Sequence, residues 1–306
     1  MTPEGQAPGM REVVKAYLDL TRAHFAIVWP VLALSGLALA STRYGGLSWI
    51  LAGKVALAAL FGFEAGMVLN DIVDRRPDTR DIDPRMTRYW RPFGTRPLAA
   101  GTIPPSHALA LFALLVLATG AIILTLPWPH SGYVGAIMAA SYGLEAFYQL
   151  KKRDQRFPVA QLAGRIDLAL FPVAGYLALG FPDITALLLF LVFYPWAEAH
   201  LGVNDLADVV NDRERGMKTI PVLFGTGGCI AWITLFSLVH VATSLLLLSS
   251  LGILARAGFL AGFLLLLLAN LRITRHRTPE AALGALPLFH GSLFLYAAAL
   301  ILGSVL

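Results

Sequence analysis

Cysteine is almost absent from this chain. Its single copy, Cys229, has no partner, which excludes a disulfide framework and a thiolate metal site. Charge is scarce too: 14% of the 306 residues are charged and 57% are hydrophobic, whereas a soluble domain carries about a quarter charged. Water is therefore not the main solvent of this sequence. Long polar stretches are also lacking. Apolar runs of about 20 residues alternate with short polar connections, the transmembrane-helix pattern, so the length points to one helical membrane domain and not to two soluble ones. The first 23 residues hold Glu4, Arg11, Glu12, Lys15, Asp19 and Arg22. A cleaved signal has a charged tip, an apolar middle and a small-residue end, so here the first span is expected to direct insertion itself.

Apolar runs place nine spans at roughly 24–41, 47–69, 105–126, 131–149, 159–180, 184–203, 226–249, 251–271 and 283–305. Lys and Arg orient them. Twenty of the 24 fall in the N-terminal segment and the connections after spans two, four, six and eight. The opposite connections carry only Arg43 and Arg256, and Lys54 and Arg165 lie within spans. The expected topology has a cytoplasmic N-terminus and an outside C-terminus. It also accounts for the basic balance of the chain, so no nucleic-acid partner is expected.

At the cytoplasmic end of span two the sequence reads Asn70-Asp71-x-x-Asp74-x-x-x-Asp78. At the same end of span six it reads Asn204-Asp205-x-x-Asp208-x-x-x-Asp212. On a helix, positions i, i+3 and i+7 fall within about a 60° sector, so each motif aims three carboxylates one way. Such clustering is costly: like charges repel, burial penalises them, and the C-terminal ends of helices are already negative. A cation makes it sensible, and hard oxygen donors on two helices suit Mg²⁺ shared with a phosphate substrate, with two ions expected. Acids at a helix end also mark where a membrane stops, but that reading does not explain one spacing repeated at two equivalent ends. Pro77 is expected to bend the chain before Asp78; the second motif has no such interruption in sequence.

Basic and aromatic groups share that face. Tyr148 and Lys152 are spaced i, i+4, beside Lys151 and Arg153. They are candidates for holding a diphosphate, although positive-inside anchoring predicts the same run. Arg22, Arg96 and Lys218 are further diphosphate candidates with the same competing account. Glu64, Glu145, Arg165, Asp167, Glu198 and His200 lie inside spans, where a central charge costs about 2.5–3.5 kcal/mol, so they should face the bundle interior. Arg165 and Asp167 need not pair. For Glu198 and His200, structural hydrogen bonding competes with a place on the acceptor cavity.

With these residues in view, the chain resembles the UbiA-type intramembrane prenyltransferases. The resemblance rests on Asn70 to Asp78, Arg96-Pro97-Leu98 with Gly101, Tyr148 with Lys152, and Asp205 to Asp212 continuing into Gly216, Thr219 and Pro221. It implies an all-α bundle of nine transmembrane helices around a central cavity, capped by two Asp-rich loops and set in a prokaryotic cell membrane. It also implies that Asn70, Asp71, Asp74, Asp78, Asp205, Asp208 and Asp212 hold Mg²⁺. Carried over by position, Tyr148 and Lys152, or Lys151 if the register slips, would then hold an isoprenyl diphosphate, beside the candidates Arg22, Arg96 and Lys218 named above, with Asp71, Asp74, Tyr148 and Lys152 closest to the chemistry. The stretch from Asp78 to Arg96 is longer than the family pattern and holds Arg80, Asp81, Asp83, Arg85, Arg88, Tyr89, Trp90 and Arg91.

The reaction expected is departure of diphosphate from an allylic donor and capture of the cation by a hydrophobic acceptor, an aromatic carbon or a lipid hydroxyl. Two alternatives stand beside it. A terpene cyclase would use the same ionisation machinery without an acceptor. A cation-coupled transporter would use intramembrane acids, but its site belongs near the midplane and not at one face.

Overall fold

The structure is a computed structural model that describes residues 9–305; residues 1–8 of the expected N-terminal segment, and Leu306, lie outside the described residues. Fourteen α-helices follow one another: α1 (Met10–Leu20), α2 (Val28–Tyr44), α3 (Trp49–Asp74), α4 (Arg85–Trp90), α5 (Pro105–Leu124), α6 (His130–Lys151), α7 (Val159–Gly164), α8 (Ile166–Leu177), α9 (Ile184–Ala207), α10 (Val209–Arg215), α11 (Ile220–Leu248), α12 (Ile253–His276), α13 (Pro279–Leu283) and α14 (Leu286–Val305). Among the described residues there is no strand.

Side-chain polarity explains how the helices pack. Leu109, Leu114 and Leu117 on α5, and Leu260, Leu264 and Leu268 on α12, are exposed, whereas Glu64, Gln149, Gln161, Glu198 and His240 are buried. That inversion of the soluble pattern is what a hydrocarbon solvent imposes. Where hydrophobicity cannot drive two helices together, small residues let backbones meet. A Cβ on Gly36 of α2 would lie 1.8 Å from the Pro172 carbonyl oxygen, and one on Gly175 of α8 would lie 1.8 Å from that of Ala33. Any side chain at either position would force α2 and α8 apart. Ser48 and Asp183 cap the starts of α3 and α9 by accepting from Leu51 N and from Thr185 and Ala186 N.

Among the described residues, seven helices are long and apolar enough to cross a membrane: Ala23–Tyr44, Trp49–Asp74, Pro105–Leu124, Ile184–Ala207, Ile220–Leu248, Ile253–His276 and Pro279–Ser304. They coincide with seven of the nine expected spans. The other two, 131–149 and 159–180, differ for physical reasons. α6 is less apolar than the seven, because serines, glycines, tyrosines and Gln149 are spread through its 22 residues beside Glu145 and Lys151. The 159–180 stretch is broken at Arg165 into α7 and a 12-residue α8, about 18 Å of helix. The span expected at 226–249 begins earlier, at Ile220, and turns at Gly225, where φ is 69°; glycine reaches that conformation without the usual steric cost.

Candidate active site

α3, α6 and α9 end around one cavity of about 170 Å³, with Arg22 joining from the connection between α1 and α2 and α4 and α10 folding over it. Its lining brings together Asn70, Asp74 and Asp78 of the first motif with Asn204, Asp205, Asp208 and Asp212 of the second. Arg22, Arg96, Tyr148 and Lys152 line it as well. The two repeats, over 130 positions apart in sequence, therefore face one space.

Both motifs leave the helix part-way. α3 stops at Asp74, and Pro77 opens the short 3-10 turn Pro77–Arg80 that carries Asp78. The second motif was expected to run on without interruption, but Asp208 (φ −101°, ψ 8°) separates α9 from α10. A continuous helix would carry Asp212 about 6 Å further along its axis than Asp208. The break folds it back over the cavity, and Gly216 at φ 72° ends α10.

Cations neutralise much of this charge. Lys152 Nζ lies 2.6 Å from Asp74 Oδ2, and Arg153 Nη2 lies 2.7 Å from Asp74 Oδ1. Arg96 reaches Asp78 at 2.6 Å and Asp81 at 2.7 Å, while Arg215 reaches Asp208 at 3.3 Å and also pairs with Asp81. Asp71 is absent from the cavity wall. It sits 2% exposed behind it, 2.8 Å from Arg91 Nη2 and 3.1 Å from Arg22 Nη2. Lys151 and Lys218 have exposed side chains and do not line the cavity, although the Lys218 N–H donates to the Lys152 carbonyl at 2.8 Å.

The second motif is less well neutralised. Asp212 accepts from the Thr219 hydroxyl at 2.9 Å, and its nearest cation, Arg215 Nη1, is 3.9 Å away. Burial first, then Asp208 and Asp205, hold the Asp212 carboxyl well above the usual carboxylate range. Burial also raises Asp78 and Asp208 against the opposing pull of Arg96 and Arg215. Burial pulls the other way on Arg215, but Asp208, Asp78, Asp81 and Asp212 outweigh it and raise its pKa. Asp78 Oδ1 is buried with no hydrogen-bond partner among the described residues. Negative charge and hard oxygen donors in excess of local cations fit a dication bridging to phosphate. No three acids among the described residues are already drawn onto a single metal point.

Several lining residues were not among the candidates drawn from sequence. Trp90 ends α4 and Arg91 follows it, where no periodicity marks them; Trp90 Nε1 donates to Asn204 Oδ1 at 2.9 Å. Arg215, three positions after Asp212, was counted with the topological anchors. Asn204 had a signal, the repeat of Asn70. Arg165 lies with its guanidinium carbon 5.7 Å from the Tyr148 ring, which Lys152 Nζ approaches to 5.0 Å. Arg165 and Asp167 both line the cavity and form no ion pair with each other among the described residues.

Residues 27–303 match the UbiA prenyltransferase family. The chain belongs to this family. It is thus a prenyltransferase, and its long apolar helices make it an integral membrane protein. The chain is 32% identical over 221 residues to the protoheme IX farnesyltransferase of Aquifex aeolicus, covering 70% of this chain and 69% of that one. It is 30% identical over 276 residues to the 4-hydroxybenzoate octaprenyltransferase of Tolumonas auensis, covering 88% of each. In fold it is similar to a UbiA homologue from Aeropyrum pernix, with a TM-score of 0.73, 21% identity and coverage of 92% of this chain and 98% of that one. It is likewise similar to a UbiA homologue from Archaeoglobus fulgidus solved with DMAPP and Mg²⁺, with a TM-score of 0.65, 17% identity and coverage of 95% and 100%.

Proposed function

We propose that this prenyltransferase transfers an isoprenyl group, in a Mg²⁺-dependent reaction, from an allylic diphosphate to a hydrophobic acceptor within the membrane. The acceptor is an aromatic quinone-type precursor or a lipid alcohol. The observation that carries the reading is the meeting of both Asn-Asp repeats with Tyr148 and Lys152 on one cavity. Two Mg²⁺ ions would be held by Asn70, Asp74, Asp78, Asp205, Asp208 and Asp212, and bound there they supply positive charge to the leaving diphosphate oxygens. Asp71 supports them from behind by orienting Arg22 and Arg91.

The chain's own groups do the rest. Arg22, Arg96, Lys152 and Tyr148 bind and orient the diphosphate, and charge growing on the leaving oxygens strengthens each of those contacts. Lys151 and Lys218 serve from the rim. Trp29, Phe63, Met67 and Leu168 give the cavity an apolar side that holds the isoprenyl chain and keeps water from quenching the cation. α6 and the α7/α8 pair complete nine spans around it. The N-terminus and the cavity face the cytoplasm, and the C-terminus lies outside.

Purified protein incubated with Mg²⁺ and isoprenyl diphosphates of several lengths, with and without aromatic acids or lipid alcohols, tests this by mass spectrometry. Prenylated acceptor and released diphosphate are expected. A cyclic hydrocarbon formed without any acceptor would replace the reading with a cyclase.

A further inference from the structure

A chain of hydrogen bonds that diphosphate departure does not use runs from the cavity to α4. His200 on α9 lines the cavity, stacked on Trp196 with ring centroids 5.1 Å apart. Its Nε2 lies 3.0 Å from Nε2 of His290 on α14. The other nitrogen of His290, Nδ1, lies 2.8 Å from the Tyr89 hydroxyl. Tyr89 is half-buried beside exposed His24, whose Nε2 is 3.1 Å from the Tyr89 carbonyl oxygen. His200 is 6% exposed, and its Nδ1 is buried with no hydrogen-bond partner among the described residues, so the acceptor reaches it only as the ring turns toward the cavity that His200 lines. His240, also buried in the bundle, differs: its ring is tied to the Val192 carbonyl at 2.8 Å and it does not line the cavity.

The geometry restricts where the protons are. Two Nε2 atoms in contact share one proton, so the order along the chain is set from end to end. When the Tyr89 oxygen accepts from His290 Nδ1–H, His290 Nε2 is bare and accepts from His200 Nε2–H. His200 Nδ1 then keeps a free lone pair. Trp90, Trp196 and Phe289 pack around the ring, an apolar setting that keeps water from serving as the base.

We propose that His200 is the base that takes the proton the acceptor loses, and that His290 and Tyr89 are positioning residues that hold its tautomer and carry charge outward. The proposal rests on the prenyl-transfer reading and adds that the acceptor is a protic nucleophile, a phenolic ring or an alcohol. In the balanced step the C1–O bond of the donor breaks and its electron pair leaves with diphosphate. An electron pair of the acceptor forms the new bond to C1, and the acceptor proton goes to His200 Nδ1. The Nε2 proton then moves to His290, the Nδ1 proton of His290 to Tyr89, and the original phenol proton to water beside His24. One proton enters and one leaves. Return of a proton from water through Tyr89 and His290 to His200 Nε2, with the His200 Nδ1 proton passing to the departing diphosphate, restores the starting order.

The test uses geranyl diphosphate with ring-deuterated 4-hydroxybenzoate, and with farnesol in D₂O for the alcohol case. In wild type, proton loss follows bond formation quickly and the isotope effect stays near unity. His200→Gln should lower prenylated product about 100-fold and raise the isotope effect above about 2, while diphosphate release stays within a few-fold of wild type because the stalled geranyl cation is captured by water and recovered as geraniol. His290→Gln and Tyr89→Phe should lower product roughly 3- to 10-fold with intermediate isotope effects. Equal loss of diphosphate release and product in His200→Gln, with an unchanged isotope effect, would mean a packing role and overturn the proposal. Wild-type diphosphate release with neither acceptor alkylated would instead count against prenyl transfer. Histidine ¹⁵N spectra of the wild-type protein need no acceptor: His200 should carry its proton on Nε2, and a proton found on Nδ1 would overturn the proposal independently.

Discussion

The Lys152 ammonium lies 2.6 Å from the Asp74 carboxylate, joining the end of α6 to the end of α3 across the cavity. One of these residues is a candidate for diphosphate and the other for metal, and here each holds the other. Both are about 7% exposed, so neither charge is left uncompensated at membrane depth. When Mg²⁺ and diphosphate arrive, both can exchange partners without creating a bare buried charge, because the incoming ions carry opposite signs.

From this pairing, Asp74→Asn and Asp208→Asn are each expected to abolish diphosphate release while the protein still folds. Each substitution removes a charge at nearly constant volume. Asp74→Asn leaves Lys152 and Arg153 unopposed, and Asp208→Asn weakens the hold on Arg215. Release assayed with saturating Mg²⁺ checks this; full activity in either variant with a normal elution profile would sink the two-motif metal site.

Lys152→Ala should reduce catalytic efficiency on the order of 10- to 100-fold, since a charge-assisted phosphate contact contributes about 1.5–3 kcal/mol. Tyr148→Phe removes one neutral donor, about 0.5–1.5 kcal/mol, for a loss of roughly 2- to 10-fold. Exposed Arg156 is the control. If Arg156→Ala is as damaging as Lys152→Ala, the cluster serves topology alone.

These two predictions rest on residues legible in sequence, and the reason is instructive. Asn70, Asp74, Asn204 and Asp208 repeat one spacing on helices whose ends are fixed by hydrocarbon thickness, so periodicity alone put them at one depth. The break at Asp208 was not legible, because no proline or glycine marks it and only the demand that Asp212 turn back imposes it. Nor was the role of α4: Tyr89, Trp90 and Arg91 are consecutive and reach His290, Asn204 and Asp71, partners 114 and more positions away for two of the three. Arg165 was visible as an intramembrane charge, but its breaking of 159–180 into two helices depends on the cavity it faces.

Topology is open to cysteine labelling, because Cys229 is buried and the background is low. Cysteines at Ser131 and Arg256 should react from outside, and those at Arg80 and Arg213 only after permeabilisation. The reverse pattern would invert the protein and move the cavity to the other face.

Metal-free protein should lose stability as pH rises. Folded Asp212 keeps its proton well above the usual carboxylate range, whereas the unfolded chain gives it up near pH 4. The native state thus binds more protons through that interval, and the slope of stability against pH is negative there. Mg²⁺ favours the ionised form, so its stabilising effect should grow with pH. Thermal melts of wild type and Asp212→Asn in detergent at pH 5 and pH 7.5, with chelator and with Mg²⁺, isolate both trends; a difference between the two apo proteins that does not change over that interval would contradict the assignment.

Arg91 and Asp71 are 2% and 3% exposed and meet through two hydrogen bonds of 2.8 and 2.9 Å. Removing one member of such a buried pair strands the other, at a cost of about 3–5 kcal/mol. Arg91→Ala should therefore lower the melting temperature sharply, with Arg22, 3.1 Å from the same Asp71 oxygen, softening the loss. Asp71→Asn strands both arginines and should be worse. The double variant Arg91→Ala/Asp71→Asn removes both buried charges while leaving Arg22 an amide oxygen to meet, so its melting temperature should lie above that of Asp71→Asn alone. A double-mutant cycle on detergent-solubilised protein reads the coupling directly. Additive losses would show that α4 is held over the cavity by packing and by the Trp90–Asn204 bond, with Asp71 free to act directly as a metal ligand.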